Sequence, residues 1–354
     1  MPGYIPVKPL APGMRWLLRT AAVLVLLAGF QLFVFTGQTD THFAWTIVNP
    51  LAAAFLGAGY WASFAIEALC AQQRFWANAR IAVPSVLVFT VLTLVATLLH
   101  LGKFHLAAAV PAGTRLVTWA WIAVYVLVPL LMLIVLAIQA RTPGVDPPRT
   151  VLLPGWVYAA LAGQAVILFG FGVALFAAPG TTAPLWPWQL TPLLAQATGA
   201  WLISLGVAAG QALLERDARR LRPAAVGYVL LAVLQAIAVA RYPDHFHWGS
   251  PAGVLYLIFL ATILVTGLAG YRSSDDDSTR AQSGGHLRLS AGWRPAQPGR
   301  PGGGRAGAGR HAGDPVSGQG EPGVPAAGRP VHGAAWRPPV PRHRVWLPGR
   351  RAGA

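Results

Sequence analysis

The sequence carries little charge and almost no thiol. Only 11% of its 354 residues are charged, whereas a soluble domain carries about 25%. One cysteine is present, Cys70, which excludes an internal disulfide and any metal or iron–sulfur site built from several cysteines. Hydrophobic residues make up 55% of the chain and are gathered into long blocks, so a soluble fold of this size is excluded.

Familiar catalytic motifs are also absent. The chain has no phosphate-binding loop, nucleophile elbow, zinc-protease helix or dinucleotide-binding glycine pattern. Acidic residues number 11 against 27 basic ones, but the densest basic run, Glu215–Arg222, is typical of a topology signal. The sequence therefore favours a protein that is not an enzyme and has no nucleic-acid partner.

Eight apolar blocks are each long enough to cross about 30 Å of hydrocarbon. The first is too long for a signal peptide and lacks a clear cleavage site. The sequence predicts an all-α polytopic membrane protein with about eight transmembrane helices and the lipid bilayer as its main partner. The blocks cover residues 16–36, 44–68, 81–100, 116–139, 155–177, 187–213, 223–241 and 251–271.

Basic residues in the loops predict the orientation. With the N-terminus inside, most Lys and Arg fall in inner segments, and only Lys103, Arg115 and Arg241 fall in outer ones. Heavy use of Arg, Ala, Gly and Pro is typical of a GC-rich bacterial genome. We therefore expect a bacterial plasma-membrane protein with both termini in the cytoplasm.

The second half of the chain repeats the first at an offset of about 142 residues. Because four spans are an even number, both halves enter the membrane in the same direction, around an axis along the membrane normal. The sequence predicts two parallel four-helix repeats. The aligned pairs include Pro50 with Pro192, Gly57 with Gly199, Arg80 with Arg222, His105 with His247, Pro111 with Pro251 and Gly29 with Gly170.

The predicted organisation has five parts. The last part is rich in Gly, Pro and Arg and cannot bury enough apolar surface to offset chain entropy, so we expect it to be disordered. Its composition also suggests a frameshift product beginning soon after Arg280. The parts are a cytoplasmic segment 1–15, repeat 1 at 16–139, an inner linker 140–154, repeat 2 at 155–271 and the tail 272–354.

Two prolines in matching positions predict a small-molecule site between the repeats. A proline inside a helix frees the carbonyl four residues earlier, and matched interruptions in two repeats mark substrate sites in transporters. The alternative is a structural kink beside interfacial tryptophans. The candidate substrate-binding residues are Trp45, Asn49, Pro50, Trp188, Thr191 and Pro192.

Small residues lie one turn deeper in the same two spans. Ala53 and Gly57, like Ala195 and Gly199, are four residues apart and permit close approach of two helix backbones. This spacing predicts that the second span packs on the sixth.

Histidines before the tail all fall on the predicted outer side. Imidazoles beside a carboxylate can bind zinc, copper or iron, which gives a candidate metal or haem site at His105, His245, His247 and Asp244. Proton sensing or ordinary solvated loop positions are the alternatives. The simplest expectation is no cofactor.

Glu67 is the only acid inside a predicted span. Acids within the membrane are functional candidates, so a role in proton coupling is one hypothesis. The alternative is a structural pair with Arg74 or Arg80 near the inner interface.

The stretch from Thr39 to Trp61, TDTHFAWTIVNPLAAAFLGAGYW, resembles a segment of uncharacterised multi-pass membrane proteins of GC-rich bacteria. No activity is implied by that resemblance. The eight-helix plan is also similar to that of haem A synthases, which carry paired histidines on helices near the outer side. Here the histidines lie in loops and at helix ends, so the haem ligands do not carry over.

Three functional hypotheses follow. The first is a transporter or permease with a small-molecule site between the repeats. The second is a membrane redox protein with an outer metal or haem centre. The third is a non-catalytic scaffold or partner subunit that packs through its small-residue faces. The sequence gives no oligomeric state.

Overall fold

The computed structural model describes the backbone over residues 6–292 and the side chains over residues 6–274. In this range all regular structure is helical, apart from four isolated bridges. Eleven α-helices are present, and the eight long ones are numbered α1–α8 here. They are α1 Pro12–Gly29, α2 Pro50–Ala71, α3 Val83–Leu99, α4 Ala112–Arg141, α5 Gly155–Ala177, α6 Pro192–Glu215, α7 Ala218–Arg241 and α8 Pro251–Gly292.

Seven of the eight long helices have the length and apolar character to cross a membrane. The first of these spans is Pro12–Val34, because a π-helix, Phe30–Val34, extends α1. Helix α3 has 17 residues, fewer than the roughly 20 that a typical span needs. It is shorter than the predicted block 81–100 because it begins at Val83, just before Pro84, and ends at Leu99, with His100 as its C-cap. The all-helical membrane protein is confirmed: in the described residues seven of the eight predicted spans are long enough to cross a membrane, and the shorter apolar helix α3 lies in the place of the remaining one.

Burial divides the helices into a centre and a periphery. Of an apolar 18-residue stretch in each helix, 78% is buried in α6 and 61% in α2, but only 22% in α4. The outward side chains of α4 are large and apolar, with Leu127, Leu130 and Ile134 each more than half exposed. A surface of this kind is suited to lipid contact, because lipid tails solvate apolar side chains.

The helix contacts occur in matched pairs. Helix α1 packs on α2 as α5 packs on α6, and α3 packs on α4 as α7 packs on α8. The two halves interlock through α2 on α7 and α6 on α3. Exchanging the first four helices for the last four therefore returns the main contacts between long helices.

Backbone hydrogen bonds between the helices are matched in the same way. On one face, the amide of His105 donates to Ala44 O at 3.0 Å, and the amide of His247 donates to Pro187 O at 2.9 Å. On the opposite face, Trp76 N donates to Lys8 O, and Ala218 N donates to Val151 O. Each half thus closes its loops with the same pattern of bonds.

The small-residue prediction for α2 and α6 holds only in part, because the two helices are in contact, with Gly59 against the ring of Trp201, but the glycines of the motif face other neighbours. A Cβ on Gly57 would lie 2.5 Å from Phe33 N, and one on Gly199 would lie 2.8 Å from Phe176 N. Gly57 therefore receives the π-helix that extends α1, and Gly199 receives the C-terminal end of α5. Close approach occurs within each half, because small residues determine how near a neighbour comes and not which neighbour it is.

The alignment of the first helix with the fifth also changes. Gly29 faces Trp61 and Gly172 faces Ile203, which is the equivalent position on α6. Gly29 thus corresponds to Gly172 and not to Gly170, where a second Gly-Phe pair matches it by coincidence.

Two predicted boundaries move. Helix α1 begins at Pro12, inside the predicted segment 1–15, and α8 continues to Gly292, beyond the predicted end at residue 271. The remainder of the tail, with the frameshift hypothesis, lies outside the described residues.

Candidate functional site: a buried carboxylate in a cavity

The two matched prolines begin helices and do not interrupt them. Pro50 and Pro192 are the first residues of α2 and α6, where the missing amide hydrogen of proline costs nothing. Asn49 accepts hydrogen bonds from Leu51 N and Ala52 N, and Thr191 accepts one from Leu194 N. The predicted interruptions of spans 44–68 and 187–213 are therefore wrong, because both residues before the prolines are helix caps.

The tryptophans of that predicted site lie in two matched aromatic clusters. Trp45 packs on Phe43 and Phe104, with ring centroids 4.6 and 5.2 Å away. Trp188 packs on Trp186 at 5.1 Å and on Phe246 at 6.3 Å. The Asn49 amide reaches Gln189 O at 3.4 Å and joins the two helix starts. None of the six predicted residues lines either of the cavities described below.

The outer histidines are not gathered into a ligand set. Both ring nitrogens of His105 are used, since Nδ1 donates to Phe43 O and Nε2 accepts from Thr46 Oγ1, each at 3.0 Å. His245 lies in a short 3-10 helix in the connection between α7 and α8, and His247 follows it. Across the residues that the structure describes, no three His, Cys, Asp or Glu side chains come together to hold a metal ion. The structure therefore does not support the predicted metal or haem site at His105, His245, His247 and Asp244.

Glu67 lies on a cavity inside the bundle. The residue is 1% exposed, and its Oε2 atom has no hydrogen-bond partner. The cavity has a volume of about 70 Å³, enough for a few water molecules. Its walls come from α1, α2, α3 and α4 of the first half and from α6 of the second.

Of the five hydroxyl groups that line this cavity, all but that of Ser63 are already engaged. Ser85 donates to Ala82 O, Thr90 to Val86 O and Ser204 to Ser85 O, each at 2.9 Å. The Tyr125 and Tyr60 hydroxyls are 2.6 Å apart. No Lys, Arg or His is among the lining residues. The carboxyl group therefore has neither a basic partner nor a donor for Oε2.

Aromatic rings form one wall of the same cavity. Phe89 and Trp201 line it with their ring centroids 4.1 Å apart, and Tyr125 lines it beside them. Tyr60 packs edge-on against Trp201 at 5.2 Å and supports the wall from behind. The cavity thus combines one acid with the faces of several rings.

A second cavity occupies the corresponding place in the other half. It lies among α5, α6, α7 and α8 and has a volume of about 40 Å³. Ala209 takes the position of Glu67 at the repeat offset. Only Tyr228 and Thr266 of its lining residues are polar. This cavity holds no ionisable carboxyl group.

Arg80 pairs with other acids and not with Glu67. It forms salt bridges with Glu215 and, at 2.6 Å, with Asp146, and Arg220 donates to Glu215 Oε2 at 2.9 Å. The hydrogen bond to Glu215 raises the pKa of Arg80 above its ordinary value, so the guanidinium stays charged. The four residues Arg80, Asp146, Glu215 and Arg220 are called the charged cluster below.

Sequence reasoning misses the charged cluster, because the run Glu215–Arg222 is by itself typical of a topology signal. The cluster ties the α2–α3 connection and the linker to the junction of α6 and α7. A sequence signal was available, since acids are scarce in the chain and both acids of the cluster lie close to arginines in sequence.

The seven long apolar helices indicate an integral membrane protein, and the part of the chain that the structure describes is all-helical. Comparison of the chain with protein-family models, with curated proteins and with solved structures gives no match. The resemblance of Thr39–Trp61 to multi-pass proteins of GC-rich bacteria stays a prediction.

Proposed function

We propose that the protein is a proton-coupled transporter of a small molecule and that the cavity around Glu67 is its binding site. One observation carries the proposal. A fully buried carboxyl group lines an internal cavity, and one of its oxygens has no hydrogen-bond partner. An ionisable group within the membrane is costly, and such groups mark proton and substrate pathways.

The proposal includes two parallel four-helix repeats, with the substrate site where they meet. Its support is the matched packing of α1 on α2 and α5 on α6, and the participation of α6 in a cavity otherwise built by the first half. In transporters built from repeats, substrate sites lie near the midplane at the repeat interface. The predicted position between the repeats is retained, but the residues differ from those around Pro50 and Pro192.

Glu67 is the proton carrier in this proposal. When protonated, the carboxyl group is neutral and tolerates its apolar surroundings. When it releases the proton, the carboxylate needs a positive partner, and the residues that line the cavity offer none. Proton release and substrate binding at this point are therefore linked.

The charged cluster lies at the opposite side of the bundle from the N-terminal ends of α2 and α6. We propose that it forms a gate there. Arg80 belongs to the first half and Glu215 to the second, so a relative movement of the halves must separate them. From the distribution of basic loop residues, we propose that this side faces the cytoplasm of a bacterial cell.

The test uses the full chain in proteoliposomes with an imposed pH gradient. Labelled compounds are supplied in three groups, namely amines, carboxylates and neutral polar molecules. We expect uptake of at least one group that depends on the gradient and is lost in Glu67→Gln. The control is Asp40→Asn, an exposed acid outside the long helices.

Folding of each variant is checked by size-exclusion chromatography and circular dichroism. The proposal fails if no group is taken up by the wild type, or if Glu67→Gln transports as the wild type does.

A further inference from the structure

The substrate class follows from the same cavity, and this step rests on the proposed function. We infer that the cavity takes a small organic cation, namely an ammonium group on an apolar body of about two or three carbon atoms, because a volume of about 70 Å³ has no room for a larger body. Three features of the cavity support this inference: its charge, its engaged hydroxyl groups and its aromatic wall.

Charge is the first step. Glu67 is the only acid among the lining residues, and no base accompanies it. An anionic substrate would meet the carboxyl group of Glu67 and would find no positive group in the cavity to offset the substrate's charge. A cation supplies the partner that Oε2 lacks, and a hydrogen bond between two ionised groups is among the strong ones.

The engaged hydroxyl groups are the second step. A neutral polar substrate needs several free donors and acceptors, but among the four serine and threonine hydroxyls of the lining only that of Ser63 is free, because those of Ser85, Thr90 and Ser204 each donate to a backbone carbonyl. A small inorganic cation needs six or so oxygen ligands in place of its water shell, which one carboxylate among engaged hydroxyls does not provide. An organic ammonium ion needs fewer.

The aromatic wall is the third step. Phe89, Tyr125 and Trp201 all line the cavity. The faces of aromatic rings attract ammonium groups and also pack against apolar carbon. Together with Glu67, the wall can hold both ends of an amphipathic amine.

The binding step conserves charge. The ammonium ion enters as Glu67 loses its proton, so the ion pair replaces the neutral acid and one proton leaves the cavity. The second cavity provides an internal contrast, because Ala209 leaves it without an acid.

The experiment uses the full chain in nanodiscs and three probes that each have two carbon atoms: ethylamine, ethanol and acetate. Binding is measured by calorimetry, and proton release by a pH-sensitive dye in weak buffer. We expect ethylamine alone to bind to the wild type and to release close to one proton per chain.

Four variants locate the binding. Glu67→Gln is expected to weaken ethylamine binding at least about tenfold and to abolish proton release. Glu67→Asp keeps the proton release with a weaker affinity, because it retains the acid at a shorter reach. Trp201→Leu weakens binding several-fold, and Tyr228→Phe in the second cavity leaves it unchanged.

Two outcomes overturn the inference: ethanol or acetate binding as tightly as ethylamine, or ethylamine binding unchanged in Glu67→Gln. Transport of a neutral or anionic compound that depends on Glu67 removes the cation inference and leaves proton-coupled transport intact. Ethylamine binding with proton release but no transport removes the proposed function and leaves the cation site intact.

Discussion

The two halves of the bundle enclose cavities in corresponding places, and the two cavities differ in chemistry. In the first half, Glu67 lines a cavity of about 70 Å³ with three aromatic rings. In the second half, Ala209 stands at that position, and the cavity of about 40 Å³ is almost wholly apolar. The helices around them nevertheless pack in the same pairs.

The comparison of the two halves distinguishes the features that the architecture requires from those that a function requires. Helix pairing and loop closure recur in both halves, as the matched bonds of His105 and His247 illustrate. The acid occurs once. A fold can therefore be duplicated while the chemistry of a site rests on a few side chains in one copy.

The largest effect is expected in the charged cluster, where the halves also differ. Glu215→Ala leaves Arg80 and the buried Arg220 without their shared partner, which costs about 3 kcal/mol or more of unfolding free energy. The equivalent residue in the first half is Gln73, whose side chain only bonds its own helix at Leu69 O.

Unfolding by denaturing detergent, followed by circular dichroism, gives the measurement. The matched control, Gln73→Ala, is expected to cost less than about 1 kcal/mol. Equal losses at the two positions would contradict the asymmetry of the charged cluster.

The next effect tests the cavities directly. Ala209→Glu introduces an unpaired acid into the second cavity, and a carboxyl group within a membrane span costs about 2–3 kcal/mol. Glu67→Gln removes an acid that has no basic partner, so stability is expected to stay within about 1 kcal/mol of the wild type.

Thermal unfolding in detergent compares both variants with the wild type. A large loss of stability in Glu67→Gln would assign Glu67 a structural role, because a functional acid is retained for its chemistry and not for stability.

A smaller and equal effect is expected at the two matched glycines. Gly57→Ala and Gly199→Ala both force a methyl group against a neighbouring backbone, which costs about 1–3 kcal/mol each. Gly210→Ala on α6 is the control, since nothing lies within 4 Å of the added atom. Loss of stability in only one half, measured by the same thermal unfolding, would break the proposed equivalence of the repeats.

Sequence reasoning could predict the membrane helices, because long apolar blocks have few alternatives. It could also predict the matched positions Pro50 and Pro192 and single out Glu67. It could not distinguish a proline inside a helix from one at its first residue, since both give the same apolar run with a cap residue in front. Nor could it place α2 against α7, because helix–helix partners depend on packing across the whole bundle and leave no local periodicity.

The smallest effect is expected at Asn49 and Thr191, which the sequence predicts as substrate-binding residues and which are the N-terminal caps of α2 and α6. Thr191→Ala removes the hydroxyl that caps α6, and Asn49→Ala removes the cap of α2; each is expected to cost about 1 kcal/mol. Asn49→Asp keeps the acceptor for Leu51 N and Ala52 N and loses only the amide that reaches Gln189 O. It should therefore be the mildest of the three, since a carboxylate is also favourable at a helix N-terminus.

Thermal unfolding measures the caps, and proteoliposome uptake measures their effect on transport. All three variants should retain the dependence of uptake on Glu67, because these residues stabilise the helix starts and do not line the cavity. Uptake lost in Thr191→Ala, with stability preserved, would return the substrate site to the helix starts at Pro50 and Pro192.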